Sequence, residues 1–478
     1  MASNIFINYF FLCLLFKLII GDENRELIFV YEHARHGARG PSSSHAGYLI
    51  DGVDEFGVNW GTDGELTQIG KRQHYYLGIR NKIKYSNLLN FSEYNPMEIL
   101  IHATDYNRTH QSIMSELYAM YEDIREKNLT DKEKDFDMVN KKYGGLSSEM
   151  KENIDKTISQ IGDRVNKINF PIFNIRQFPS KRIFLVDDCI KLNNYRRQKT
   201  GDKVRQFYTD FDNNFAEVLA NFTKKSKEHF HSYDVMKSIT DHFICDYDNK
   251  RDMEELNKTF GLDLDKFYNY SKKFYGHFIF EYFIDNYTAA LEETHLMQDL
   301  IGYMDRRIKY YPNTTYKAPK MVMDCGHDTT VGPIARFMEG AFNIKYHEFC
   351  EFACNVYFEL YKGHGNTYTV NYYLDDELLI EQMDYNEFKK KMENHFWNES
   401  YIDEICGTVE DMIIDNRSSL EKNSKTLLAL TIVFSILFAV FFISSITVLV
   451  KYHKLKRKFK ENPLMDKDLD NMSGLSKD

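Results

Sequence analysis

Apolar runs alternate with amphipathic stretches along the first part of the chain, and this alternation predicts strands followed by helices. Residues 27–30 form an apolar run typical of a short buried strand. The stretch GELTQIGKRQHYYLGIRNKI has helical periodicity, and Thr67 is placed to cap that helix. MEILIHATD then predicts a second strand, and YNRTHQSIMSELYAMY a second helix. A strand–helix–strand–helix order is typical of an α/β sheet with parallel strands.

The pattern changes over residues 127–312 and then returns. This middle region is rich in Lys, Asn, Tyr and Phe and has long helical periodicity, so we predict a mainly helical lobe inserted into the α/β body. Beyond it, KMVMDCGHDTTVGPIARFMEG predicts strand, loop and helix, and NVYFELYKGHGNTYTVNYYL predicts a β-hairpin. YNEFKKKMENHFW predicts a last amphipathic helix. The predicted fold class is therefore α/β, with a mostly parallel sheet flanked by helices and an inserted helical lobe.

Two long apolar stretches lie outside this body and indicate membrane targeting. Residues 5–21 are followed by polar residues, which predicts a secretory signal peptide, with an uncleaved signal anchor as the alternative. Residues 426–450 carry no charge and are long enough to cross a bilayer, and the Lys/Arg-rich stretch after them predicts a cytoplasmic tail. We therefore expect a single-pass type I membrane protein whose main region faces the lumen or the exterior. The predicted divisions are a signal peptide (1–21), the α/β body (22–126 and 313–415), the helical lobe (127–312), a stalk (416–425), the span (426–450) and the tail (451–478).

The net charge and the cysteines limit which classes of partner and which cellular compartment fit this chain. The formal net charge of −10 argues against a nucleic-acid partner. Without the signal peptide, the number of cysteines is even, which suggests disulfide bonds in an exported domain but leaves their pairing open. Several Asn-x-Ser/Thr sequons fit the same compartment and predict a glycoprotein. The cysteines and histidines lack metal-ligand spacing, so we expect no metal and no cofactor.

Chemically active side chains follow three of the predicted strands. They are Arg35, His36 and Arg39 after the first strand, Arg108 after the second, and His327 and Asp328 after a later one. Because the carboxyl ends of parallel strands meet at one edge of a sheet, we expect these side chains to converge. Gly37 would let the backbone approach a bound anion closely. Two other histidines, His33 and His74, are predicted to be packing or surface residues.

This set has the chemistry of phosphoryl transfer. Guanidinium groups bind phosphate bidentately and keep their charge. An unprotonated imidazole can attack phosphorus, and a carboxyl group can protonate the departing alcohol. Each motif alone has a plain structural explanation, since RHG can be an exposed turn and Arg108 can form a salt bridge within its helix. Their conjunction at strand ends favours a phosphate site.

Four segments resemble motifs of the histidine acid phosphatases. They are RHGARGP (35–41) for RHGxRxP, GHDTT (326–330) for the HD motif, ATDYNRT (103–109) for STDxxRT, and GELTQIGKRQHYYLG (64–78) for GELTPxGxxQxxxLG. The chain departs from these patterns at Ala103, where serine is usual, and at Gln68, where proline is usual. The resemblance implies a phosphoglycerate-mutase-like fold and the hydrolysis of small phosphate monoesters.

By position, the resemblance also implies roles for individual residues. His36 would be the nucleophile that forms a phosphohistidine, and Asp328 the proton donor. The phosphate would be held by Arg35, Arg39, Arg108 and His327. Membrane attachment makes the chain similar to lysosomal or prostatic-type enzymes, with a lysosomal, endosomal or cell-surface location. The alternatives are a phytase-like or lysophospholipid phosphatase of the same family, and a catalytically silent phosphatase-like receptor or adhesin.

The resemblance extends to the cysteines. It suggests that Cys189 pairs with Cys406 and that Cys245 pairs with Cys354. It offers no clear counterpart for Cys325 and Cys350. A homodimer is one assembly to consider, and the sequence does not decide the oligomeric state.

Overall fold

The computed structural model describes most of the chain between residues 25 and 406. The chain divides into two compact units, residues 1–406 and 407–478, and the second contributes only Lys451 to the described part. The predicted signal peptide, stalk and membrane span lie outside the described residues. No helix within the described part is both long enough and apolar enough to cross a bilayer. The described residues are 25–42, 53–54, 56–61, 64–124, 147–162, 173–178, 189, 192, 201–277, 286–315, 317–345, 350–406 and 451.

The strands in the described residues form one mixed sheet. They are β1 (Glu26–Arg35), β2 (Ile99–Ala103), β3 (Ile175–Gln177), β4 (Met321–Gly326), β5 (Asn355–Lys362), β6 (Tyr368–Leu374) and β7 (Glu377–Asp384). Their order is β3-β2-β4-β1-β5-β6-β7. The first four in this order run parallel, and β5, β6 and β7 add an antiparallel extension. The α/β prediction is confirmed. β7 was not predicted: most of its side chains are exposed at the edge, and its apolar residues 378–380 are consecutive and do not alternate with polar ones.

Helices flank this sheet and build the inserted lobe. They are α1 (Gln68–Lys84), α2 (Asn107–Met120), α3 (Ser148–Ile161), α4 (Gly201–Asn214), α5 (Ala216–Thr223), α6 (Tyr233–Asp248), α7 (Glu254–Lys258), α8 (Leu264–Gly276), α9 (Asn286–Tyr310), α10 (Asp328–Phe342), α11 (Tyr385–Glu393) and α12 (Glu399–Cys406). The hydroxyl of Thr67 accepts a hydrogen bond from the backbone N–H of Gly70 at 3.1 Å, so α1 begins where its capping residue predicts. β3 and α9 fall within 127–312, yet β3 extends the sheet and α9 packs on its apolar core.

The parallel register brings three strand ends to one edge. Arg35 at the end of β1 lies opposite Gly326 at the end of β4. Ala103 at the end of β2 lies opposite Cys325 of β4. The central strand β1 is buried from Ile28 onward, because it has neighbours on both sides and helices over its faces. The loops after β1, β2 and β4 therefore start next to one another, as expected from the sequence.

Gly37, in the loop after β1, is packed against the first turn of α1. A Cβ atom on Gly37 would lie 2.3 Å from the carbonyl oxygen of Gly70, and one on Gly70 would lie 2.1 Å from that of Ala38. The N–H of Gly37 donates to Oγ of Ser112 at 3.1 Å. The glycine thus allows close contact between the loop and α1. Its close approach to a bound anion stays a prediction.

One of the two predicted disulfide bonds is present. Cys189 is bonded to Cys406, as the resemblance implied. The predicted Cys245–Cys354 bond is wrong: Cys354 is bonded to Cys350, and Cys245 is a buried thiol on α6. Cys350 and Cys354 flank the turn before β5 with their Cα atoms 5.7 Å apart, which is within disulfide reach. A partner four residues away in a local turn displaces the long-range pairing.

Two buried carboxyl groups join the loop at 53–61 to α6. The indole N–H of Trp60 donates to Asp54 at 2.9 Å and to Asp246 at 3.1 Å. Burial and the nearby charge of Asp54 raise the pKa of Asp246 above its usual 3.8. Asp246 thus has a higher pKa in the folded state than in the unfolded state. Its contribution to stability is fully present below the unfolded-state pKa, and it is lost as pH rises toward the folded-state pKa. The pair therefore favours the folded state in acid.

Replacing Asp246 with Asn should raise the free energy of unfolding at pH 7.5 by at least about 1.4 kcal/mol, the equivalent of one pKa unit, and change it little at pH 4. The amide is neutral without binding a proton, so it removes the free-energy cost of keeping the buried carboxyl protonated at pH 7.5. Urea denaturation at the two pH values measures this difference. Asp252→Asn, at an exposed position beyond α6, is the matched control and should show no pH-dependent gain. An equal effect of D246N at both pH values would contradict the prediction.

Candidate active site

The histidines that follow β1 and β4 lie side by side at the carboxyl edge of the sheet. The ring centroids of His36 and His327 are 5.3 Å apart, and both side chains are buried. Nδ1 of His36 lies 2.9 Å from the carbonyl oxygen of Gly37. A carbonyl oxygen can only accept a hydrogen bond, so the ring proton is on Nδ1 and the lone pair is on Nε2. This tautomer leaves Nε2 of His36 as a nucleophile.

Arg35 joins the end of β1 to the start of α10. Its Nη2 atom lies 2.7 Å from Oδ2 of Asp328, and its Nη1 atom donates to the carbonyl oxygen of Cys350. The Cζ atom of Arg35 is 4.3 Å from the ring centroid of Phe352. Oδ1 of Asp328 accepts from the backbone N–H of Thr329 at 2.8 Å. The carboxyl group of Asp328 is therefore held in the same pocket as His36.

Arg39 is held by a carboxylate from the helical lobe. Its Nη2 and Nη1 atoms lie 2.9 and 3.2 Å from the two oxygens of Asp241, a bidentate pair between buried groups. Burial alone would lower the pKa of Arg39, but Asp241 outweighs it and the pKa is raised. Nη1 also lies 3.5 Å from Sγ of Cys245, one turn further along α6. This pair places the lobe directly against the site.

Arg108 at the start of α2 contacts His327. Its Nη2 atom lies 3.4 Å from Nδ1 of His327, and a guanidinium can only donate, so Nδ1 is the acceptor. Nε2 of His327 then carries the proton and donates to Oγ1 of Thr104 at 2.9 Å. The Cζ atom of Arg108 lies 4.4 Å from the ring centroid of Tyr106. His327 is thus neutral and held from two sides.

Burial and the surrounding cations keep both imidazoles unprotonated. Burial first, and then Arg108, lower the pKa of His36 well below 6.5. The same causes in the same order lower the pKa of His327. Burial and the charge of Arg39 lower the pKa of Arg108 to about 10, so it stays charged. A nucleophilic imidazole is therefore available in acid, where an exposed histidine would be protonated.

The structure brings all six predicted side chains into one pocket and adds residues that the sequence did not indicate. The additions are Asp241, Phe352 and Thr104. Thr104 lies inside the ATDYNRT motif and could have been proposed from it. Asp241 and Phe352 belong to no motif, and the only signal for Asp241 is its helical spacing from Cys245. Among the described residues, no group of His, Cys, Asp or Glu side chains is arranged to hold a metal ion.

A family model matches most of the described chain. Residues 26–375 match the model described as "Histidine phosphatase superfamily (branch 2)". The matched range includes β1, β2, β4 and every side chain of the pocket. The likeness to this family therefore extends well beyond the short motifs.

Curated relatives match over shorter segments. Lysosomal acid phosphatase of Xenopus laevis is 39% identical over 108 residues, which are 23% of this chain and 24% of that protein. Prostatic acid phosphatase of Homo sapiens is 35% identical over 120 residues, which are 25% of this chain and 30% of that protein. The chain thus matches less than a third of the length of these relatives.

Solved structures share the fold. A Hafnia alvei phytase in complex with tartrate has a TM-score of 0.50 with 11% identity, covering 79% of this chain and 98% of that chain. The same phytase in complex with myo-inositol hexakis sulphate gives the same TM-score and coverage. At this identity the likeness concerns the fold alone.

Proposed function

Because the chain belongs to branch 2 of the histidine phosphatase superfamily, we propose that it hydrolyses phosphate monoesters through a phosphohistidine on His36. The observation that carries this proposal is the tautomer of His36. Its Nδ1 proton is directed to the carbonyl oxygen of Gly37, and Arg108, Arg35 and Arg39 are near enough for their charges to lower the pKa of the imidazole. A neutral nucleophile surrounded by fixed cations is what attack on an anionic phosphoryl group requires.

The proposed reaction has two displacements at phosphorus. In the first, Nε2 of His36 forms the P–N bond while the P–O bond to the alcohol breaks, and protonated Asp328 gives its proton to the departing oxygen. In the second, Asp328 takes a proton from water, whose oxygen attacks phosphorus and releases His36. The three guanidinium groups bind the phosphoryl oxygens throughout, and His327, whose Nδ1 atom accepts from Arg108, holds that arginine in place. Each group returns to its starting state, water is the co-reactant that is consumed, and the products are the alcohol and inorganic phosphate.

A substrate comparison tests the proposal. The full-length chain, assayed at pH 5 and pH 7.5, should release phosphate faster from an aryl phosphate and a nucleoside monophosphate at pH 5, because Asp328 must be protonated to assist the leaving group. Inositol hexakisphosphate and lysophosphatidic acid belong in the same assay. A preference for either of these would favour the phytase-like or lysophospholipid alternative. No release from any of the four at either pH would favour the catalytically silent receptor.

We also propose that this reaction takes place in a lumen or outside the cell, with the chain attached to the membrane through residues 426–450. The Cys189–Cys406 and Cys350–Cys354 bonds support an oxidising compartment. Lysosomal and prostatic relatives favour a lysosomal or exterior location. In sealed vesicles, a protease added on the cytoplasmic side should digest only the tail. Residues 25–406 should be protected. Digestion of both parts from one side would contradict this topology.

A further inference from the structure

His74 on α1 lies directly behind the pocket and contacts its backbone. Its Nε2 atom is 2.9 Å from the carbonyl oxygen of Arg35, the residue before His36. Its Nδ1 atom is 3.0 Å from Oε2 of Glu116 on α2. Neither His74 nor Glu116 has any solvent exposure. His74 is therefore a packing residue, one of the two alternatives predicted, and the sequence did not indicate that both of its ring nitrogens are hydrogen-bonded.

Further buried polar side chains extend this hydrogen-bond network from Glu116 away from the pocket. Nδ2 of Asn81 donates to Oε1 of Glu116 at 2.7 Å and to Oε2 of Glu32 at 2.9 Å. The hydroxyl of Tyr357 lies 2.5 Å from Oε1 of Glu32 and 3.0 Å from Oδ1 of Asn81. All three of these residues are buried. A glycine allows α1 and α2 to approach closely enough for these contacts: a Cβ on Gly78 would lie 2.1 Å from the carbonyl oxygen of Glu116.

The hydrogen-bond partners and the neutral ring of His74 together assign the protons. The carbonyl oxygen of Arg35 can only accept, so Nε2 of His74 carries a proton. Burial lowers the pKa of His74, which favours the neutral ring; its Nδ1 atom then accepts, and Glu116 is a carboxylic acid whose hydroxyl donates to it. In the same way Glu32 can donate to Tyr357, and Tyr357 to Asn81. Each donor then meets one acceptor, in a chain that ends on the backbone next to the nucleophile.

The electrostatic surroundings favour this neutral arrangement. Burial raises the pKa of Glu116 from 4.5 to about 7, and burial lowers the pKa of His74 from 6.5 to about 4. Burial and the charge of Glu116 also raise the pKa of Glu32. The titratable and charged groups that face Glu116 are Glu32 on β1, His74 and Arg80 on α1, Cys325 on β4 and Tyr357 on β5.

We propose that His74 is a positioning residue whose bond to the Arg35 carbonyl holds the nucleophile loop, and that this bond requires the acid form of Glu116. The proposal rests on the phosphatase function proposed above. The opposite side of the same peptide is also held, because the N–H of His36 donates to the carbonyl oxygen of Gly326 at 2.9 Å. If Glu116 ionises, Nδ1 of His74 must become the donor. A neutral ring then turns the lone pair of Nε2 toward the carbonyl oxygen of Arg35, and the Arg35–His36 peptide loses one of its two hydrogen bonds.

The sign of the expected pH effect follows from this proton assignment. Below pH 7 Glu116 is protonated and the Arg35–His36 peptide is held on both sides. As pH rises through about 7 the carboxyl loses its proton, and kcat should fall. Glu116→Gln provides a donor to Nδ1 of His74 at every pH, since its amide does not ionise.

The decisive experiment compares pH profiles of the single-turnover rate of phosphoenzyme formation for the full-length protein, Glu116→Gln and Glu122→Gln. The substrate is a nitrophenyl phosphate, whose leaving group hardly needs the proton of Asp328. We expect the alkaline midpoint of E116Q to lie more than about one pH unit above that of the unmodified protein. Glu122, an exposed residue just after α2 whose carboxylate accepts from Tyr75, is the matched control and should leave the midpoint in place. An alkaline midpoint in E116Q equal to that of the unmodified protein would overturn the proposal.

Two substitutions of His74 separate positioning from folding. His74→Phe removes both hydrogen bonds and should lower kcat at pH 5 by about 10²-fold with a much smaller change in KM, the scale expected for a misplaced reactive group. His74→Gln can donate to the Arg35 carbonyl and accept from Glu116, so it should recover at least about tenfold of that loss. Equal losses in both variants, with normal thermal unfolding, would contradict a role for the hydrogen bonds. Base-quenched phosphoenzyme on His36 is measured in parallel, because its absence in the unmodified protein would reject the proposed function instead.

Discussion

Replacing His36 with alanine is expected to lower kcat by at least about 10⁴-fold, the scale on which hydrolases lose activity without their covalent nucleophile. Alanine has no nitrogen to form the P–N bond, and the three guanidinium groups cannot replace it. The pocket should still bind inorganic phosphate, because Arg35, Arg39 and Arg108 remain charged. The measurement is steady-state hydrolysis of an aryl phosphate at pH 5, combined with phosphate binding by calorimetry.

A surface histidine provides the control for this substitution. His364 is exposed in the turn between β5 and β6, and His364→Ala should keep full activity. Rapid quenching with labelled substrate should trap an acid-labile, base-stable phosphoenzyme in the unmodified protein and in H364A only. Turnover by H36A within tenfold of the unmodified rate would show that His36 is not the nucleophile.

Asp328→Asn should slow the reaction in a way that depends on the leaving group. A general acid contributes about 10²–10⁴-fold, and only when the departing oxygen needs a proton. For an alkyl phosphate, kcat should therefore fall by about 10³-fold. For a nitrophenyl phosphate, whose leaving group is stable as an anion, the first step should fall by less than about tenfold. Asparagine keeps the shape of the side chain, so Arg35 retains an oxygen acceptor where Oδ2 of Asp328 now lies.

The alkyl and aryl phosphates must be compared by single-turnover kinetics, because Asp328 is also proposed to act in the second displacement. The formation of the phosphoenzyme reports on the acid role alone. Asp105→Asn, an exposed carboxyl just before α2, controls for the loss of a nearby negative charge and should affect both substrates equally and slightly. If D328N slowed phosphoenzyme formation equally for alkyl and aryl phosphates, Asp328 would not be the proton donor.

The fold was predictable where the sequence pattern reports burial. β1, β2 and β4 are buried, and their apolar runs predicted them. The convergence of six site residues followed from one general rule, that parallel strands present their carboxyl ends at one edge. β7 was not predicted, because at an exposed edge its apolar residues do not alternate with polar ones.

The sequence could not predict contacts between elements that are distant in the chain. Asp241 binds Arg39 from 202 residues away, and the pattern of α6 only says that Asp241 faces inward. The pairing of Cys354 depends on which sulfur lies nearest after folding, and a local turn brings Cys350 to it. A buried histidine such as His74 looks in sequence like any other polar residue of a helix, since only its two partners distinguish it.

The packing of the nucleophile loop on α1 has a consequence for the speed of turnover. The carbonyl oxygen of Ala38 accepts from both the N–H and the hydroxyl of Thr67, and its N–H donates to Oε1 of Gln73 at 2.7 Å. Together with the backbone contact at Gly37, these bonds fix the loop before any substrate arrives. The free energy of ordering the loop is thus spent once, when the chain folds, and not again in each catalytic cycle. Reorganisation on binding should be confined to side chains, and the loop should look the same empty or occupied.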